Sequence, residues 1–126
     1  MSDSALPAAP AAPADAHPAL DMLRSVGGDE MLAMMMQTFI QFAEERLAKL
    51  REEAAEGRIG EVAGIAHSLK SSARQLGAHA LGDACARTEE AGKTGRDADA
   101  ISGVSAIQIE YATAKPWMEA LAKASS

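Results

Sequence analysis

The chain has 126 residues and a formal net charge of −6, which allows one domain with its own core and argues against a nucleic-acid partner. Apolar residues make up 48% of it but aromatic residues only 3%; Ala, Leu and Met dominate while strand formers are scarce, so the composition favours helix over sheet. The single Cys85 excludes an internal disulfide and suits a reducing cytoplasm, and no apolar run is long enough to span a membrane.

Residues Met1 to Pro18 carry Pro7, Pro10, Pro13 and Pro18 among alanines. This stretch lacks the basic start and apolar centre of a signal peptide and is expected to be a disordered tail, with the folded domain spanning 19–126. Leu20 to Val26 predict a short first helix ended by Gly27-Gly28. Asp29 is then placed to cap a long second helix reaching about Ala55, with an apolar stripe of Leu32, Met36, Phe39, Ala43, Leu47, Leu50 and Ala54. Its outer face is expected to carry Glu44, Glu45, Lys49, Arg51, Glu52 and Glu53, with Glu45 and Lys49 as an i,i+4 pair. Met31, Met34, Met35 and Met36 crowd its first turns as adaptable core filling, with Met35, Ile40 or Phe42 available to a docking surface.

Gly57 ends that helix, and a third is predicted from about Arg58 to Gly77. Val62, Ala66, Leu69, Ala73, Leu76 and Ala80 follow one another at steps of four, three, four, three and four, so they share a face. A further helix from His79 to about Ala91 buries Leu81, Ala84, Cys85 and Thr88, followed by a loop Gly92-Lys93-Thr94-Gly95. The last begins near Asp97 or Asp99 with the stripe Val104, Ile107, Tyr111, Ala114, Met118 and Leu121, and Pro116 is expected to kink or break it. The fold class is therefore all-α: an up-down-up-down antiparallel four-helix bundle with a short extra N-terminal helix.

His67 lies off the stripe of its helix. Its helical neighbours are Gly60, Ala63, Gly64, Lys70, Ser71 and Arg74, an exposed face of small residues and two cations. Gly60 and Gly64 each cost about 1 kcal/mol relative to Ala inside a helix, and they sit where a side chain would shield the ring. A neutral imidazole is a good nitrogen nucleophile near neutral pH, so the face reads as one that presents a nucleophile. No glycine-rich nucleotide loop accompanies it, so no ATP site and no kinase activity are expected. A metal pair at His79 and Asp83 is conceivable, but no Glu-x-x-His motif occurs, and no metal site is expected.

Ala66, His67, Leu69, Lys70, Ser72, Ala73, Leu76, Gly77 and Ala78, followed by Leu81, Cys85 and Glu89, resemble the motif of the histidine phosphotransfer (HPt) family of two-component phosphorelays. Val26-Gly27-Gly28-Asp29-Glu30, Phe39 and Phe42 also resemble the family's approach to its second helix, and the likeness covers roughly 20 to 124. Two positions depart: Ser71 stands where the family usually has Gly, and Thr88 where it usually has Leu.

The resemblance implies that His67 accepts a phosphoryl group, that Lys70 neutralises its oxygens, and that Glu89, from the next helix, hydrogen-bonds Nδ1 and leaves Nε2 as the nucleophile. Phosphoryl transfer asks mainly for positioning and charge stabilisation; the metal would come from the receiver partner and the chain would need no cofactor of its own. The partners implied are response-regulator receiver domains and a hybrid sensor histidine kinase, met by a cytoplasmic monomer. A receiver would lie across Gly60, Ala63, Gly64, His67, Ser71 and Arg74, flanked by Phe42 and Ile40. The alternative is a degenerate HPt-like adaptor that binds a receiver or kinase without carrying phosphate; the intact His67/Lys70 pair favours the carrier.

Overall fold

The computed structural model describes residues 10–123, and among them every regular element is helical. A 3-10 turn at Ala14–Ala16 leads into α1 (His17–Ala55), followed by α2 (Ile59–Gln75), α3 (His79–Lys93) and α4 (Asp97–Lys123). α1 runs helically on both sides of Gly28, whose φ of 75° and ψ of −174° break the helical path there. Arg24 Nε donates to Asp29 Oδ1 at 3.0 Å across that break, so the carboxylate expected to cap a helix N-terminus is paired with a side chain instead.

Short glycine turns set the spacing of the helices. After α2, Gly77 takes φ 85°; its N–H reaches the Arg74 carbonyl at 3.1 Å while that of Ala78 reaches the Ala73 carbonyl at 2.9 Å. This paired closure satisfies carbonyls that would otherwise end the helix unbonded, and it needs a left-handed residue, which glycine supplies. The long bond recurs after α1, from Arg58 N–H to the Glu53 carbonyl at 2.9 Å, and after α3, from Arg96 N–H to the Ala91 carbonyl at 2.9 Å.

α1 packs on α2 and α4, α3 packs on α2 and α4, and the α2–α3 interface is the most extensive. The shared core contains Leu32, Met36, Phe39, Leu50, Val62, Leu69, Leu81, Ile107 and Met118. Thr88 is buried too: its hydroxyl donates to the Ala84 carbonyl at 3.0 Å. Gly103 of α4 leaves the space that a methyl group would take from the Thr88 hydroxyl, so the smaller residue at position 88 is met by the smallest possible neighbour.

Several sequence expectations are corrected by the packing. The stretch expected to be tail up to Pro18 is helical from Ala14, and Ala16 is fully buried against the backbone of Gly77, where an added Cβ would lie 2.9 Å from the Ala16 carbonyl. The boundary expected between 18 and 19 thus falls inside α1, and the part of the expected tail from Met1 to Ala9 lies outside the described residues. Ala80 is exposed and does not continue the α2 stripe. Glu53 is buried rather than on the outer face, 2.8 Å from Arg58 Nη1, and Lys49 turns to it at 3.9 Å instead of to Glu45. α3 continues through Gly92 and Lys93, which were expected in a loop. α4 is not broken at Pro116, where burial of Trp117 and Met118 holds the continuing turns in place.

Candidate functional site

His67 projects from the middle of α2, its side chain 60% exposed. Beneath it Val62, Ala66 and Leu69 are buried, so the helix is fixed in rotation and the imidazole must face outward toward α3. Nδ1 lies 2.8 Å from Oε2 of Glu89, whose side chain is only 6% exposed. Lys70 Nζ donates to Glu89 Oε1 at 2.6 Å, and Lys93 Nζ lies 2.8 Å from Oε2. One carboxylate therefore meets three nitrogen groups contributed by two helices.

The charges decide the proton positions. The hydrogen bond from Lys70, then that from Lys93, and then the imidazole hold the Glu89 carboxyl down to about 2 against the opposing effect of burial. An ionised carboxylate only accepts hydrogen bonds, so the ring nitrogen facing it carries a proton. In the neutral ring Nε2, on the opposite side, then keeps its lone pair.

The approach to the ring is a shallow hollow lined by Gly60, Ala63, Gly64, His67, Glu89, Gly92 and Lys93. Gly60 and Gly64 are exposed and border open space. Ala63 is buried rather than exposed as expected, and forms the floor of the hollow. The reason is Gly92 of α3, where an added Cβ would stand 2.9 Å from the Ala63 Cβ, so the two helices touch through their smallest residues. Ser71 is exposed on the face of His67. Arg74 is drawn toward α3, with Nη2 3.3 Å from Asp83 Oδ1 and its stem across Gly82. Asp83 is thereby taken up by Arg74 rather than by His79, and no cluster of three or more potential metal ligands occurs among the described residues. Cys85 is fully buried, and burial pushes its thiol up to about 12, so it is not a nucleophile near neutral pH.

Beyond Ser72 an apolar groove of about 470 Å³ lies between α1 and α2, lined by Met31, Met34, Met35, Thr38, Phe39, Phe42, Ser72, Gln75 and Leu76. Phe42 is half-buried there, with the Arg46 guanidinium 5.4 Å from its ring centre. Ile40 is half-buried but is not among the groove's lining residues.

Two residues of the site escaped the sequence reading. Lys93 stands at i+4 from Glu89, a signal that was present once α3 was known to extend through Gly92. Gly92 matters through what it lacks, which only the α2–α3 contact reveals.

The model of the Hpt domain family matches residues 34–117, the greater part of the chain and all of the His67 site. The chain belongs to the Hpt domain family. The structure of histidine-containing phosphotransfer protein B (HptB) from Pseudomonas aeruginosa PAO1 matches with a TM-score of 0.77 at 27% identity, covering 91% of this chain and 96% of that one. No curated protein matches. The family and the HptB likeness support a role in histidine phosphotransfer, and Hpt proteins act as phosphocarriers rather than kinases. No helix among the described residues is long and apolar enough to cross a membrane.

Proposed function

We propose that this Hpt protein relays a phosphoryl group between receiver-domain aspartates through Nε2 of His67. The observation that carries the reading is the single carboxylate of Glu89 on Nδ1 of an exposed imidazole, at 2.8 Å. The Nε2 lone pair forms a bond to phosphorus as the bond from phosphorus to the aspartyl oxygen breaks and its electron pair leaves with the receiver's carboxylate. Nδ1 keeps its proton, so the ring gains positive charge as it reacts. Glu89 stands against that charge and is already in position, so little reorganisation is needed.

The chain's own contribution is a clear approach and a fixed ring, while the receiver supplies the metal and the rest of the catalytic groups. The bundle itself is read as up-down-up-down, supported by the short connections at 56–58, 76–78 and 94–96 and by contacts of α1 with α4. A receiver is expected over Gly60, Gly64, His67 and Ser71, with Phe42 and the apolar groove taking part of its surface. A hybrid sensor kinase would reach the protein through its own receiver, and the carrier is read as a cytoplasmic monomer. An adaptor that binds without carrying phosphate needs neither an oriented imidazole nor two lysines around its carboxylate.

The test is a relay assay with two receiver domains. Labelled phosphate on the first should reach the second only when this protein is present. Binding to both receivers without transfer of label would establish the adaptor instead.

A further inference from the structure

The two lysines on Glu89 differ in their freedom. Lys70, from α2, is 22% exposed and its Nζ lies 2.6 Å from Oε1. Lys93, from α3, is 63% exposed and lies 2.8 Å from Oε2, the oxygen that also faces the imidazole. Only Lys93 lines the hollow beside the ring; Lys70 is not among the residues that form it. Removing Lys70 from Oε1 would strand one oxygen of a carboxylate held in the protein interior, which is costly. When Lys93 leaves, each oxygen of Glu89 still has a donor, Lys70 on Oε1 and the imidazole on Oε2. The ammonium of Lys93 is itself at the surface, so on leaving Oε2 it passes into water and not into the interior.

We propose that Lys93 is the cation that binds the transferred phosphoryl group, and that Lys70 is a positioning residue that holds Glu89 on the imidazole. The assignment rests on the reading of His67 as the acceptor. As the new nitrogen–phosphorus bond forms, the phosphoryl group brings about two negative charges into a hollow whose other lining residues, apart from His67, carry no positive charge. Lys93 exchanges its carboxylate oxygen for phosphoryl oxygens, a movement suited to a compact charge on a flexible stem. Lys70 stays where it is, and the Glu89–imidazole contact survives the reaction. The lysine three residues after the histidine thus acts through Glu89, and the one on the neighbouring helix touches the substrate.

The test uses the full chain with phosphoramidate, which gives up ammonia as its phosphoryl group passes to Nε2. Acid-labile phosphate on His67 is followed in time, and the His67 Nδ1–H signal is followed by NMR. Lys93→Gln should label about tenfold more slowly, a modest loss for an exposed charged donor, with its melting temperature and Nδ1–H signal close to wild type. Lys93→Arg should recover most of the rate. Lys70→Gln should shift or broaden the Nδ1–H signal and lower the melting temperature. Wild-type labelling of Lys93→Gln overturns the proposal, as does slow labelling of Lys70→Gln with an unmoved Nδ1–H signal. In either of those cases a labelled wild type leaves the acceptor reading standing; a wild type that takes no label overturns both.

Discussion

Glu89 writes a pH dependence into the stability of the fold. Its carboxyl is held at about 2 in the folded chain, against about 4.3 for an unperturbed glutamate. The folded value is depressed, so its contribution to stability is fully present above the unfolded value and is lost as pH falls from there toward 2. Glu89→Gln should therefore melt a few degrees below wild type at neutral pH, and the gap should close between pH 4.5 and pH 2. Thermal melts at several pH values check this; a gap that persists unchanged at pH 2 would assign the loss to packing. At this scale the sequence was legible where the chemistry is local. His67 among Gly60, Gly64 and Lys70 could be read from helical spacing, whereas the pairing of Glu89 came from the family resemblance. Its burial was not readable, because Glu89 adjoins the buried Thr88 but also the exposed Glu90, and only the neighbouring helix decides which it follows. Glu53 was misplaced for the same reason: its burial depends on Arg58 folding back from beyond a glycine turn.

Two glycines inside helices border the same hollow and should respond oppositely to a side chain. Gly64 borders open space, so Gly64→Gln should keep or raise stability, by up to about 1 kcal/mol from helix propensity. It should impair transfer from a receiver, whose body must pass over that position, and affect phosphoramidate less. Gly92→Ala has the same propensity gain, but its Cβ would meet Ala63 at 2.9 Å. The helices would have to part, at a cost of about 1–3 kcal/mol for overpacking, and the Glu89–His67 contact would lengthen. Melting curves and the two labelling assays separate the variants; a stabilised Gly92→Ala would show that the interface yields freely. Helix existence and buried stripes were legible because apolar residues recur at helical spacing in every element. Boundaries were less so. Gly92 has the look of a helix end, and its place inside α3 is explained only by how closely α2 approaches it. Pro116 looks like a break, and the turns beyond it are retained because Trp117 and Met118 have a core to enter.

At the scale of the whole molecule, the N-terminal turn is part of the fold. Ala16 is fully buried against the α2–α3 junction and Leu20 is 1% exposed. Ala16→Glu should lower the melting temperature by several degrees, since it forces a charge into a tight apolar contact; an unchanged melt would show that the turn is not docked in solution. Composition could not reveal this, because a proline-alanine stretch offers little apolar surface and the contact depends on shape rather than hydrophobicity. The other contacts of the bundle converge on one result, an imidazole held on α2 by a carboxylate from α3 with its far nitrogen open to a partner. The most direct measurement is transfer of acid-labile phosphate from a phosphorylated receiver domain to wild type and to His67→Gln. Label on the wild type at residue 67, and its loss in the variant with an unchanged circular dichroism spectrum, is the result predicted. Undiminished labelling of His67→Gln would contradict it.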